Sequence, residues 1–252
     1  MIDTKVLIRE NNKVVSNYFL LELEPYNNIG TVKPGQFVML KIPGNEVFLR
    51  RPFSIYDYDD GILTVMYKSI GKGTELLSKT RAGTVTSVLA PLGNGFHINK
   101  RDEYLIVAGG IGVAGVCHLL KNMNENKSVF FGCTSHLETA LLKDIMKFNP
   151  VVSTLDGSFG YKGNVVEILE NYLETSEKLD REIFVCGPHG MLKSLKKVIE
   201  KNRIPCQVLL EEKMACGLGL CFGCVTKTMD TDEPYKRVCK DGPVFDLWEI
   251  YL

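Results

Sequence analysis

The sequence predicts a multi-domain chain of β plus α/β character: an antiparallel β-barrel, a parallel-sheet α/β domain, and a small cysteine-rich module. Three observations predict it. Residues 1–99 run in short alternating segments, KVLIRE, VVSNYFLLELE, QFVMLKI, FSIYDYD, ILTVMYK and TVTSVLA, separated by turn residues. A period of two at such spacing is that of half-buried antiparallel strands. Residues 100–205 instead alternate apolar runs (YLIVA, SVFFGC, VVSTLD, EIFVCG) with helical segments (VAGVCHLLKNMN, LETALLKDIMKF, VVEILENYLE, HGMLKSLKKVIEKN), the order of a parallel sheet covered on both faces. Residues 206–252 add one strand, QVLLEE, and then a stretch too short to build its own core. The length of 252 residues agrees with two domains and a small module.

Composition excludes several function classes. Lys plus Arg number 30 and Asp plus Glu number 30, so no net field favours a polyanion, and no nucleic-acid partner is expected. The opening MIDTKVLIRENNK lacks the apolar run of a secretory signal, which places the expectation in the cytoplasm. Leu105 to Leu120, the most apolar stretch, is too short for a bilayer and is interrupted by glycines, so no membrane partner is expected. In a reducing compartment, regularly spaced cysteines point to metal or redox chemistry rather than disulfides.

Four of the eight cysteines, Cys216, Cys221, Cys224 and Cys239, follow the spacing C-x4-C-x2-C-x14-C. This is the plant-type [2Fe-2S] arrangement, three thiolates from one tight loop and a fourth from a returning segment. Gly217, Gly219 and Gly223 suit a loop wrapped closely round a cluster. A four-thiolate zinc site is the alternative, although such sites usually come as two C-x2-4-C pairs. Cys117, Cys133 and Cys206 read as small buried hydrophobes.

Gly110, Gly112 and Gly115 match G-x-G-x-x-G after the strand YLIVA and open a helical pattern, a ready anion site. The acidic residue that usually follows the next strand is missing from Cys133-Thr-Ser-His136, and close helix packing alone would also explain the glycines. Two further strand ends, at Asp156-Gly157 and at Cys186-Gly187-Pro188, leave room for a flat ligand such as a nicotinamide. Cys186 has no evident base beside it, which argues against a nucleophile. In the first half, Arg50 and Arg51 precede Pro52, Phe53 and Ser54. An arginine fork suits a pyrophosphate, and the serine hydroxyl could reach a flavin ring atom. A solvated charge pair is the plainer reading until Met66-Tyr67-Lys68 and the turn Gly71-Lys-Gly73-Thr74 add a second phosphate-type site.

Taken in order, R-x-[FY]-S at Arg51 to Ser54, G-x-G-T at Gly71 to Thr74, the turn at Gly109 to Gly115 and C-G-P-x-x-M at Cys186 to Met191 resemble the ferredoxin-NADP reductase superfamily. With Glu211 through Phe245, the chain is most similar to the electron-transfer subunits of class 1B dihydroorotate dehydrogenases. The resemblance implies FAD on Arg51, Pro52, Phe53, Ser54, Met66, Tyr67, Lys68, Gly73 and Thr74, with Ser54 beside the reacting ring. It implies an NAD site at Gly109, Gly110, Ile111, Gly112, Asp156, Gly157, Cys186, Gly187 and Pro188, and a [2Fe-2S] cluster on Cys216, Cys221, Cys224 and Cys239. It divides the chain at 1–99 for FAD, 100–205 for NAD and 206–252 for the cluster. It implies an FMN-containing catalytic partner, in a heterotetramer of two subunits of each kind, with electrons passing from dihydroorotate through FMN, the cluster and FAD to NAD⁺. The same motifs would serve a ferredoxin, hydrogenase or sulfur-reducing partner. A zinc-stabilised regulatory module that binds nucleotide without turnover is the reading of another class. Gly115 stands where related turns more often carry proline.

Overall fold

The computed structural model describes residues 1–252. The first half is a seven-stranded antiparallel sheet of β1 (Ile2–Val15), β2 (Tyr18–Pro25), β3 (Phe37–Leu40), β4 (Arg51–Ser54), β5 (Asp57–Asp59), β6 (Ile62–Lys68) and β7 (Val85–Leu92), with helix α1 (Lys72–Ser78) before the last strand. Its order is β4-β3-β7-β1-β2-β6-β5. On β1 the inward side chains of Thr4, Val6 and Ile8 alternate with exposed Asp3 and Lys5, as period two demands. The segment FSIYDYD, one strand by pattern, is divided between the two ends of this order. Ile55 donates to the Gln36 carbonyl and Tyr56 to that of Thr64, so the chain changes partner strand within two residues. The two edges are therefore one continuous piece of backbone, and the sheet curls shut around its core.

The second sheet contains β8 (Glu103–Gly109), β9 (Lys127–Cys133), β10 (Val151–Thr154), β11 (Tyr161–Lys162), β12 (Arg181–Cys186) and β13 (Cys206–Leu209). They pair in parallel in the order β11-β10-β9-β8-β12-β13. Every residue of β8 is buried, as in a central strand covered on both faces. Helices α2 (Val113–Asn122), α3 (Val165–Thr175) and α4 (His189–Glu200) supply the cover. The chain order reverses between β8 and β12, so the crevice beyond their carboxyl ends is the switch point where open α/β sheets bind ligands. LETALLKDIMKF reads as a helix, but His136–Leu142 and Met146–Phe148 are 3₁₀ turns. Glu138 accepts from the Thr134 backbone and Thr139 donates to the His136 carbonyl, bonds that compete with a regular helix.

The terminal segment forms the hairpin β14 (Val225–Lys227) and β15 (Tyr235–Arg237), the short helix α5 (Val238–Asp241) and β16 (Val244–Asp246). β16 runs antiparallel on β13 and closes the edge of the second sheet. No helix is long and apolar enough to cross a membrane.

One apolar cluster crosses the seam between the sheets, joining Tyr18, Tyr56 and Met66 to Val113, Ala114 and Cys117 of α2. A polar clasp lies beside it. Asp57 on β5 meets His118 Nδ1 at 3.1 Å and Lys121 Nζ at 2.5 Å, both on α2, and Tyr56 donates to Asp144 at 3.0 Å. Burial opposes ionisation of Asp57, but the hydrogen bonds with His118 and Lys121 and the Lys121 charge outweigh it and hold the carboxyl at about 2. Its folded pKa lies below the unfolded value, so its contribution is complete above about pH 5 and fades as pH falls from 4 to 2. With solvent screening allowed for, Asp57→Asn should cost about 1–2 kcal/mol at pH 7. Urea unfolding at pH 7 and pH 3 should show the gap from wild type narrowing at the lower pH.

Candidate functional site

Two clefts open along the seam. The first, about 780 Å³, is lined by Arg51, Pro52, Phe53, Ser54, Met66, Tyr67, Lys68, Gly73 and Thr74. The turn after β6 lies against β4: a side chain on Gly73 would bring its first carbon within 2.9 Å of Arg51 Nε. Arg51 Nη1 donates to the Leu49 carbonyl at 2.8 Å, while its Nε and Nη2 have no protein acceptor. Those donors face a cradle that only glycine leaves open, which fits a phosphate group. Arg50 is turned away, bonded to Asp3 at 2.8 Å and to Ser87, so a single arginine of the pair serves the cleft. The volume lies within the usual range for cofactor clefts, and the residues present fit a flavin dinucleotide.

The second cleft, about 600 Å³, sits at the switch point and is lined by Gly109, Gly110, Ile111, Gly112, Gly187 and Pro188. A side chain on Gly112 would overlap the Cys186 carbonyl, and one on Gly109 would meet Met191 Sδ at 2.7 Å. Helix α4 begins at this cleft with no side-chain cap on its first N–H groups. Such an end suits a dinucleotide pyrophosphate. Ser153 also lines the cleft, with its hydroxyl buried and without a partner. Sequence reasoning missed this serine, which has nothing to distinguish it within VVST. Glu138, another unanticipated lining residue, accepts from Tyr18 at 2.6 Å and from the Thr134 N–H at 2.8 Å.

Asp156, Gly157 and Cys186 do not line either cleft. The Asp156 carboxylate turns back to accept from Ser158, and Gly157 lies against the Lys162 side chain. Cys186 is fully buried and burial pushes its thiol well up, which suits packing rather than nucleophilic chemistry. Its sulfur would stand 3.0 Å from a side chain on Gly115, which explains glycine at that turn position.

Lys68, Ile111 and Glu211 line both clefts, so two ligands occupying them would meet there. Glu211, two residues beyond β13, is exposed and forms no hydrogen bond or ion pair.

The cysteine lobe adjoins the first cleft. Met214 and Pro243, which flank its two ends, line that cleft. Gly217 packs on β3, where an added side chain would lie 2.6 Å from Met39 Cγ. Each sulfur accepts a backbone N–H: Cys216 from Leu218 (3.3 Å), Cys221 from Gly223 (3.4 Å), Cys224 from Cys239 (3.4 Å) and Cys239 from Gly219 (3.1 Å). The positive φ angles of Gly217 (69°) and Gly219 (76°) turn those groups inward. The Cys239 N–H bond to Cys224 Sγ sets those two residues side by side, and Cys216 and Cys221 lie on the loop outside them. Burial opposes ionisation of Cys216, but N–H groups of Leu218, Cys221 and Leu220 and the Cys221 side chain bring it down to about 6. Burial and the Cys224 thiol push Cys239 up to about 12. Four thiols in one lobe, each with a backbone N–H donor, fit a two-iron cluster.

Comparison with known proteins agrees with this geometry. The family described as the iron-sulfur cluster binding domain of dihydroorotate dehydrogenase B matches residues 211–251. The chain is 36% identical to the dihydroorotate dehydrogenase B (NAD(+)) electron transfer subunit of Caldanaerobacter subterraneus subsp. tengcongensis, across 98% of this chain and 97% of that one. The chain belongs to this family of electron transfer subunits. The subunit from Clostridium acetobutylicum is also 36% identical, over 97% of this chain and 96% of its own. Among solved structures, an NADH-dependent reduced ferredoxin-NADP oxidoreductase superposes with a TM-score of 0.86 at 26% identity, covering 98% of this chain and 89% of that chain. A ferredoxin NADP+ reductase from Neisseria gonorrhoeae shares the fold, with a TM-score of 0.68 at 18% identity over 80% of this chain and 95% of that one. The superfamily fold expected from the motifs, a barrel followed by an α/β domain, is the one observed.

The tight backbone at the switch point has a measurable consequence. Gly112→Ala should cost about 1–3 kcal/mol in urea unfolding, because the new methyl must displace backbone rather than a mobile side chain. Gly71→Ala, at an extended position with open space around it, should be silent.

Proposed function

We propose that the chain is the electron-transfer subunit of an NAD-linked dihydroorotate dehydrogenase, an oxidoreductase component with FAD in the first cleft, NAD in the second and [2Fe-2S] on the four cysteines. The observation that carries this reading is the meeting of all three sites: the clefts share Lys68, Ile111 and Glu211, and the cysteine lobe flanks the first cleft through Met214 and Pro243. On this reading residues 1–99 serve FAD, 100–205 NAD and 206–252 the cluster.

When bound, FAD supplies a group able to exchange hydride with a nicotinamide and single electrons with an iron-sulfur centre. The protein's part is placement. Arg51 and the Gly73 turn would hold the pyrophosphate. Ser54, whose hydroxyl has no protein partner, would donate to the edge of the flavin ring. The glycines at Gly109, Gly112 and Gly187 let the nicotinamide approach backbone, and Ile111 and Glu211 would set its position against the flavin. No general acid or base is required of this chain.

The partner supported by this reading is an FMN-containing catalytic subunit, in a cytoplasmic heterotetramer of two of each. Its docking face is the apolar surface beside the Cys216 and Cys221 pair, where Leu220 is 77% and Phe222 61% exposed. A second reading, service to a ferredoxin-type partner, is favoured by the 26%-identical oxidoreductase structure that spans 98% of the chain.

Co-purification with the catalytic partner should yield FMN, FAD, iron and sulfide, with NADH formed from dihydroorotate only by the complex. Ferredoxin turnover without dihydroorotate turnover would select the second reading, and a colourless zinc protein would exclude both. Leu220→Asp should abolish assembly while iron content stays at the wild-type level. Arg51→Ala should lose FAD on gel filtration from a folded chain. Ser54→Ala should keep FAD yet slow its bleaching by NADH about 10-fold or more, the scale of one positioned polar contact; unchanged bleaching would remove Ser54 from the mechanism.

A further inference from the structure

Arg237 ends β15 and enters α5 two residues before Cys239. Its backbone N–H and Nε donate to Asp241 Oδ2 at 2.7 and 3.0 Å, and Nη2 donates to Oδ1 at 3.1 Å. Nη1 donates to the Gly219 carbonyl at 3.2 Å. Gly219 in turn gives its own N–H to Cys239 Sγ at 3.1 Å, so Arg237 and the sulfur are bonded to opposite ends of one residue. Phe222, held at a φ of 54° that is uncommon for an aromatic residue, lays its ring 5.1 Å from the guanidinium. Three anchors from separate parts of the lobe therefore fix one cation inside the cysteine loop.

Backbone N–H groups already supply a donor to every sulfur, so the guanidinium is not needed to satisfy them. Arg237 and Asp241 are only 24% and 28% exposed, so water screens the pair less than it would an open surface pair. Through Gly219 the guanidinium is linked to Cys239 Sγ, with Asp241 bonded to its other nitrogens. The stem of Lys240 lies over Gly219, a second cationic residue packed on the same loop.

We infer that Arg237 is a positioning residue for electron transfer, a fixed cation that sets the reduction potential of the cluster, with Asp241 as the counter-charge that limits it. This rests on the four cysteines holding [2Fe-2S]. Reduction adds one negative charge beside Arg237 and oxidation removes it, so a fixed cation favours the reduced state and a fixed anion the oxidised one.

The test is a redox titration of the full-length holoprotein followed by electron paramagnetic resonance, with iron and sulfide measured per chain. Arg237→Gln should shift the midpoint potential downward, Asp241→Asn should shift it upward, and Arg237→Lys should restore most of the wild-type value. Opposite shifts require an electrostatic role, because merely loosening the loop would move both variants in the same direction. Shifts in one direction, or none at full iron content, would overturn the inference. If Arg237→Gln fails to retain iron, the direction of the Asp241→Asn shift decides alone. Absence of iron and sulfide from wild type would instead defeat the cluster reading, a separate outcome.

Discussion

Everything this chain does with a ligand depends on how rigidly its two sheets are held together. The contact is apolar at its centre, where Tyr18, Tyr56 and Met66 meet α2, and ionic at its rim, where Asp57 is gripped by His118 and Lys121. Both clefts open from this seam and share three lining residues. A small rotation of one sheet on the other would change the distance between the two bound ligands at Lys68, Ile111 and Glu211. Hydride transfer requires reacting atoms about 3–3.5 Å apart, so the stiffness of the seam is itself part of the chemistry. The second bridge, from Tyr18 and Lys68 to Glu138, lies within the nucleotide cleft and ties its wall to the barrel.

The parts of this arrangement legible in sequence are those governed by local backbone chemistry. Cysteine spacing singles out the four thiols that the structure gathers in the terminal lobe, because a loop that wraps a cluster limits which separations are possible. Glycine at Gly73 and Gly112 is required by close approach, of Arg51 in one case and the Cys186 carbonyl in the other. Both positions stand out in sequence as turns that could bind an anion. Residues whose placement depends on tertiary topology were hidden. Ser153 becomes a cleft residue only because β10 lies beside β9, and Glu138 only because a helix-like sequence tightens into 3₁₀ turns. The strand FSIYDYD has ordinary alternation, and nothing local reports that Ile55 and Tyr56 pass from one partner strand to another. Asp156 shows the converse: a carboxylate after a strand is expected to face ligand, yet its own turn supplies a nearer donor in Ser158.

The terminal lobe raises the question of what orders a segment with so little core. Metal coordination would be one source, since four thiols are costly to gather without an ion. The structure adds others. β13 and β16 are strands of the second sheet, so the cysteine loops leave from and return to a rigid edge. Beyond β16, Lys196 on α4 donates to the carbonyls of Leu247 (3.1 Å) and Ile250 (2.8 Å), and the Trp248 indole donates to Ile204 (3.0 Å). On the barrel side, Asn94 gives its backbone N–H to the Gly242 carbonyl at 2.6 Å. The segment between these fixed points is the part that must depend on the cluster for its order. That division has a functional consequence: a lobe pinned at both ends keeps its inner thiols, Cys224 and Cys239, packed in one apolar cluster with Phe37 and Met39 of the barrel, whatever partner approaches from outside. The outer thiols, Cys216 and Cys221, stay open to that partner. The inner thiols thus pack toward the barrel and the outer ones toward the surface, so a group held among all four would stand between the two.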